Sequence, residues 1–135
     1  MNEKSMDWVD EFIARISVTT NDILEVEING VKIAAIISKE LRDFFSDNKD
    51  LLREVGKEHF KAFLLYIHQK KEEEAFMVLL QKMSVDQMIA TLKGEAASLA
   101  MYNAKMETFI SKLKKFVVSS LLPITAKVLF AVLLG

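Results

Sequence analysis

The chain has 135 residues, of which 51% are hydrophobic, and its formal net charge at pH 7 is -1. This length suits a single domain with a sizeable core, because such a domain buries roughly two-thirds of its extended-chain surface. The nearly balanced charge, without a basic stripe, argues against a nucleic-acid partner. Since no cysteine is present, the sequence excludes disulfides, thiolate nucleophiles and cysteine-based zinc sites.

The first predicted element is a short amphipathic helix that runs from about Met6 to Ser17. Its apolar side chains recur at the spacing of one helix face, and acidic residues occupy the first turn, where the helix dipole favours them. That face consists of Trp8, Phe12, Ile13 and Ile16. A secretory signal would have an apolar core where these acidic residues stand, so no cleaved signal is expected. We expect a cytoplasmic protein, or one at the cytoplasmic face of a membrane.

A β-hairpin is predicted near residues 23–36, around the stretch EVEINGVKI. Asn29 and Gly30 form the dipeptide that best tolerates the two positive φ angles of a type I′ turn. A two-residue turn pairs Glu27 with Lys32 across one face of the hairpin. The opposite, apolar face would consist of Val26, Ile28, Val31 and Ile33.

An isolated two-stranded hairpin is only marginally stable in water and has two unpaired edges, so this hairpin needs a partner. It could cover one flank of the helical core, or its strands could pair with the hairpins of other copies of the chain. In the second case, the assembly surface would consist of Val26, Ile28, Asn29, Gly30, Val31 and Ile33.

From Ser38 onward the apolar period is helical, which predicts a mainly α fold, a helical bundle that carries the one hairpin. Gly56 and Gly94 are suited to ending helices, and the SVDQ stretch at residues 84–87 matches a capping box that would begin one. The predicted inner faces consist of Leu41, Phe44, Phe45, Leu51, Leu52, Val55, Phe60, Phe63, Leu64 and Ile67. The seven methionines could line a groove that adapts to many partners, but we interpret Met77, Met83, Met88, Met101 and Met106 as residues that fill the core.

The sequence offers little material for catalysis. His59 and His68 lie nine residues apart, which is not the spacing of metal ligands on one helix face. The three glutamates at residues 72–74 fan out around a helix instead of converging on a cation. No glycine-rich phosphate loop is present. We therefore expect no enzyme, no metal, no cofactor and no small-molecule substrate; a small enzyme with a site around His59, Tyr66 and His68 is the weaker alternative.

The C-terminal part of the chain is more apolar than is usual for a helical domain. We divide the sequence into a helical domain over residues 1–110 and a long hydrophobic helix over residues 111–135. Residues 116–134 approach the roughly twenty positions that a membrane-spanning helix needs. Lys112, Lys114 and Lys115 form a basic collar directly before this run, as is typical of a cytoplasmic flank.

Lys127 opposes simple insertion, because one central lysine costs about 2.5–3.5 kcal/mol on the translocon scale. On a continuous helix, Lys112, Ser119 and Lys127 fall on one side, and Phe130 interrupts that side near its end. Such a stripe suits a pore lining, and it equally suits the solvent side of a helix buried in a soluble bundle. The predicted membrane or partner contacts are Lys112, Lys114, Lys115, Phe116, Ser119, Pro123, Lys127 and Phe130.

Two functions are compatible with these features. The leading hypothesis is a non-enzymatic homo-oligomer that associates with a lipid bilayer through its C-terminal helices, in a pore-like assembly. The alternative is a soluble structural or adaptor subunit of a larger assembly, whose C-terminal helix is buried against a partner.

Overall fold

The computed structural model describes residues 7–134, and of residues 96–98 only the backbone. These residues form a mainly α fold with seven helices and one two-stranded antiparallel hairpin, as the apolar periodicity predicts. The elements are α1 (Trp8–Ile16), β1 (Ile23–Ile28), β2 (Val31–Ile36), α2 (Lys39–Asp47), α3 (Lys49–Val55), α4 (Lys57–His68), α5 (Glu72–Lys93), α6 (Ala96–Ser119) and α7 (Pro123–Leu134).

Helix α1 begins within two residues of its predicted start, which at Met6 lies outside the described residues. The carboxylate of Asp7 accepts a hydrogen bond of 2.9 Å from the backbone N–H of Asp10, so Asp7 is the N-cap. One face of the helix, including Phe12 and Ile16, is fully buried. Helix α1 therefore begins at a capped turn and contributes one side to the core.

The hairpin has the predicted register, with Ile28 opposite Val31 and Glu27 opposite Lys32. Asn29 and Gly30 both have positive φ, 51° and 79°, as a type I′ turn requires. The observed ion pair differs from the predicted cross-strand pair. Nζ of Lys32 lies 3.9 Å from a carboxylate oxygen of Glu25, the diagonal neighbour of Lys32 on β1. A lysine side chain is long enough to reach a diagonal neighbour as well as the residue directly opposite.

The helical segment from residue 38 to residue 55, whose pattern is continuous in the sequence, is interrupted at Asn48. The side-chain amide of Asn48 donates to the carbonyl of Phe44 at 2.7 Å, and this local bond competes with the helical ladder. Gly56, with φ 87°, ends α3 as predicted. All ten predicted inner-face residues of α2, α3 and α4 are buried, so that prediction is confirmed.

Three phenylalanines form the centre of the core. Phe12 of α1, Phe45 of α2 and Phe60 of α4 meet edge to face, with ring centroids 5.4 to 5.6 Å apart. Such pairs add about 0.5–1.5 kcal/mol each beyond the area they bury. This cluster joins helices from both sides of the hairpin, which makes α1 part of the same core as α4.

The capping-box prediction at residues 84–87 is wrong. Ser84 lies in the middle of α5, and its hydroxyl donates to the carbonyl of Leu80 at 3.2 Å, one helical turn earlier. A cap needs a residue outside helical backbone angles, whereas Leu79 holds this stretch in the core and the helix continues through Ser84. The predicted end at Gly94 is confirmed by its left-handed backbone, with φ 73°.

The apolar run over residues 111–135 is not one long helix. Helix α6 ends at Ser119, and α7 begins at Pro123 after a short connection. Proline has no N–H to donate, and its ring would clash with the carbonyl four residues earlier, so it cannot continue α6 and instead suits the first position of α7. Lys112 and Lys127 therefore do not share one helical stripe. Helix α7 packs against α4, α1 and both strands of the hairpin.

Candidate functional site

The C-terminal apolar segment is part of the protein's own core. Helix α7 contributes the buried residues Thr125, Ala126, Val128, Leu129, Val132 and Leu133. Neighbouring helices bond to both of its ends: the Arg15 guanidinium donates to the carbonyl of Val132 at 2.9 Å, and Nδ1 of His68 lies 3.2 Å from the carbonyl of Pro123. Over residues 7–134, none of the helices has the length and the apolarity needed to cross a bilayer.

The structure does not bring the predicted C-terminal contact residues together on one surface. Four of them pack: Phe116, whose ring lies 5.0 Å from that of Phe44, and the half-buried Pro123, Lys127 and Phe130. The other four, Lys112, Lys114, Lys115 and Ser119, are exposed on α6. Nζ of Lys114 lies 5.5 Å from the centre of the Phe76 ring on α5, in a cation–π position.

Beside these lysines, the corner between α6 and α7 exposes three apolar side chains. Val118 is 79% exposed, and Leu122 and Ile124 are each 45% exposed. Val118 lies one helical turn beyond Lys114 and Lys115, so the apolar and basic groups share one side of α6. The sequence does not indicate this corner, because Val118 is there one residue of a continuous apolar run.

The hairpin covers one flank of the core, with its apolar face toward α7. Leu24 and Ala35 are buried at its base, Val26 and Ile33 are half-buried, and Val31 at the tip is 60% exposed. Within the described residues, each strand pairs only with the other, so both outer edges have no strand beside them. Pairing of these edges with other copies of the chain stays a prediction.

Arg42 of α2 fixes the base of the hairpin. Its guanidinium donates to a carboxylate oxygen of Asp22 and, at 3.2 Å, to the carbonyl of Ile37. The backbone of Asp22 has a positive φ of 62°, and its carbonyl accepts from the N–H of Ile37 at 2.7 Å. Arg42 therefore links Asp22, which directly precedes β1, to Ile37, which directly follows β2.

The residues of the weaker enzyme hypothesis do not converge. His59 is exposed at the start of α4, and His68 is half-buried at its end, about 13 Å further along the helix axis. Tyr66 is half-buried between them in sequence. The part of the chain that the structure describes also lacks any group of three or more His, Asp or Glu side chains placed to hold a metal ion.

Several hollows lie beside α6. One, of about 460 Å³, has Asp47 and Asp50 on one wall and Lys105 and Lys112 on the other. Another, of about 300 Å³, contains the Tyr102 hydroxyl, which donates to Asp86 at 3.1 Å. Burial, followed by the nearby Asp86 charge, holds the pKa of Tyr102 far above its usual value, so this phenol stays protonated at neutral pH.

The outer side of α5 is an exposed apolar surface, which we call the arm face. It consists of Met77, Leu80, Val85, Met88, Ile89 and Leu92. Exposure reaches 65% at Met88 and 82% at Leu92, although the opposite side of the helix, including Leu79, is buried. The prediction that the methionines are core filler holds for Met106, which is fully buried, but is wrong for Met77, Met88 and Met101.

The arm face carries no net local charge. Between Glu74 and Lys93, the charged residues of α5 are Lys82 and Asp86, and these pair with each other at 3.0 Å on the flank of the helix. The polar residues within the middle of the apolar row are uncharged, namely Gln81 and Ser84, whereas Glu73 and Glu74 lie one helical turn before Met77. A partner could therefore cover the middle of this face without removing an unpaired charge from water.

No protein-family model, curated protein or solved structure matches the chain. Among the described residues, the arm face places six large exposed apolar side chains on a single helix. We take it as the main candidate site, and the α6–α7 corner as the second.

Proposed function

We propose that this protein is a non-enzymatic, self-assembling protein that acts as a structural or adaptor subunit and associates through the arm face. The observation that carries this proposal is the exposure of Met77, Leu80, Val85, Met88, Ile89 and Leu92 along one side of α5. Monomeric soluble proteins rarely present a continuous apolar patch larger than a few hundred Å², and larger patches mark sites of association.

The composition of the face supports association with a protein surface. Methionine is unbranched and polarizable, so Met77 and Met88 can adapt to a partner's shape. Covering apolar area contributes about 25 cal/mol per Å² before the costs of association are subtracted. The buried side of the same helix, anchored by Leu79 and Phe76, keeps the face in a fixed orientation.

Light scattering after size exclusion tests self-assembly directly. We expect the wild-type chain to form a multimer whose mass falls on dilution, and Met88→Lys to be monomeric, because the new charge would have to be buried in the interface. Met101→Lys is the matched control: Met101 has the same 65% exposure but lies on α6, outside the arm face. A wild-type chain that stays monomeric over the whole concentration range contradicts the proposal, as does equal loss of mass in both variants.

The α6–α7 corner favours a second candidate, peripheral association with an anionic membrane surface. Val118, Leu122 and Ile124 would enter the interface between headgroups and acyl chains, while Lys114 and Lys115 meet anionic headgroups. Each lysine near such a surface contributes about 1 kcal/mol. This form of the membrane hypothesis needs no spanning helix and leaves α7 in the core.

Co-sedimentation with vesicles tests the second candidate. We expect binding to phosphatidylcholine vesicles that contain phosphatidylserine and little binding to phosphatidylcholine alone. Val118→Asp should abolish it, whereas Val85→Asp, at an exposed valine of α5, should not. Absence of binding to the anionic vesicles, or equal binding by both variants, excludes this role for the corner.

A further inference from the structure

We infer, resting on the assembly through the arm face proposed above, that two copies of the chain pair their α5 helices antiparallel. The two-fold axis of this pair passes between Ser84 and Val85. Closed two-copy assemblies use one surface twice, so a surface that serves in this way must be complementary to itself. The arm face meets that condition in its spacing, its end charges and its area.

Four of the six arm-face residues are placed symmetrically about the proposed axis. Met77 and Leu92 lie equally far from the point between Ser84 and Val85, and so do Leu80 and Ile89. In an antiparallel two-fold pair, each residue lies level with the residue at the same distance on the other side of the axis. Met77 therefore lies level with Leu92, and Leu80 with Ile89, whereas Met88 lies level with Gln81 and Val85 with Ser84.

The end charges of α5 favour the antiparallel over the parallel arrangement. The helix begins with three glutamates, residues 72–74, and ends with Lys93. In the antiparallel pair, Lys93 of one copy lies two residues from the level of Glu74 in the other, and these opposite charges attract. Glu95 lies at the level of Glu74 and partly offsets this attraction. A parallel pair would place the two acidic starts together and would also align the two helix dipoles in the same direction.

The exposed area is sufficient for a stable pair. The six side chains of the arm face are between 45% and 82% exposed. Together they offer on the order of 600 Å² per copy, so complete coverage in two copies would bury at most about 1,200 Å², the lower end of the range for specific interfaces. Ser84 at the crossing point is small, which lets the two helices approach closely near the axis.

Cysteine cross-linking tests the geometry, since the native chain contains no cysteine to compete. Val85→Cys lies next to the axis and should form a disulfide with its own copy. Met77→Cys should not do so, because its two copies would lie about 22 Å apart along the helices, far beyond the 4.4–6.8 Å that a disulfide usually spans between Cα atoms. A mixture of Met77→Cys and Leu92→Cys should cross-link, because these positions lie at the same level.

The readout is the fraction of cross-linked dimer on a non-reducing gel after mild oxidation, and Met101→Cys controls for random collision. Self-linking of Met77→Cys at the rate of Val85→Cys overturns the antiparallel arrangement. If the wild-type chain is a multimer by mass but none of the α5 positions cross-links above the control, the pairing is wrong although the protein still assembles. If the wild-type chain is a monomer by mass, the proposed assembly itself fails.

Discussion

Helices α7 and α5 show that apolarity in a sequence does not determine where a helix lies. Helix α7 has the most apolar sequence in the protein, and six of its twelve residues are buried. Helix α5 carries a charge in most of its turns, yet it exposes six large apolar side chains to solvent. The difference comes from the neighbours: α7 is enclosed by α1, α4 and the hairpin, whereas α5 is covered by α4 and α6 on one side.

The strongest test of this contrast is truncation of a buried side chain in α7. Leu129 is fully buried, so Leu129→Ala should lower the free energy of unfolding by about 2–5 kcal/mol. Leu134→Ala, at a leucine of the same helix that is 58% exposed, is the control and should change it little. Urea denaturation provides the measurement. Equal, small effects of the two substitutions would mean that α7 does not complete the core.

Substitutions at two adjacent leucines of α5 compare a buried position with an exposed position on the same helix. Leu79 is buried and Leu80 is 49% exposed. We expect Leu79→Ala to cost about 2–4 kcal/mol of stability, and Leu80→Ala to lower the mass of the assembly while leaving the unfolding midpoint of the dilute protein nearly unchanged. Denaturation at low concentration, together with light scattering at high concentration, separates these effects. A reversed order would place the arm face in the core.

The hairpin packs against one side of α7. Substitution of Arg42 measures how much its hydrogen bonds to the base of the hairpin stabilise the protein. Arg42→Ala removes the hydrogen bonds to Asp22 and Ile37, which should lower the free energy of unfolding by about 1–3 kcal/mol. Lys39→Ala is the control, because its ion pair with Asp43 is solvent-exposed and such pairs contribute about 0–1 kcal/mol. Faster amide hydrogen exchange in β1 and β2 of Arg42→Ala would locate the loss at the hairpin.

The smallest expected effect is on the pH dependence of stability, and it concerns the N-cap of α1, a helix that packs against α7. The hydrogen bond from Arg53, followed by the backbone N–H of Asp10, holds the pKa of Asp7 below its ordinary value of 3.8. A carboxyl group whose pKa is lowered in the folded state stabilises the protein above the ordinary pKa and loses that contribution as the pH falls. Stability should therefore decline as the pH falls below about 4–5.

Asp7→Asn should flatten that decline, since asparagine also caps a helix but does not titrate. The measurement is the urea midpoint at pH 3 relative to pH 7. Asp50→Asn is the comparison variant, because Asp50 contacts the same arginine from an almost fully exposed position. If Asp50→Asn changes the difference between the urea midpoints at pH 3 and pH 7 more than Asp7→Asn does, Asp7 is not the group responsible for the decline.

Patterns that depend on a few neighbouring residues predicted the fold well. The turn at Asn29 and Gly30 determines the strand register, and the inner faces of α2 and α4 follow from helical spacing. The wrong predictions concern competition between signals. Ser84 satisfies a capping pattern but lies where the core keeps the helix intact, and Pro123 divides an apolar run that hydropathy alone treats as continuous.

The methionines indicated an adaptable groove as an alternative to the core, but the position of the candidate site could not be predicted from the sequence. Apolar residues occur on both sides of α5, and helical spacing does not say which side faces α4 and α6. Met77 and Met106 are equally suited to a core by residue type, yet one is exposed and the other is fully buried. Only the arrangement of the neighbouring helices distinguishes them.

The position of α7 in the chain has a consequence for how the protein folds during synthesis. Every element that α7 packs against, including α1 and the hairpin, precedes it in the sequence. The apolar groups that α7 covers therefore stay exposed until residues 123–134 have left the ribosome and can complete the core. Contacts between such distant segments form slowly, and the incomplete chain exposes the surfaces on which chaperones act and aggregation begins.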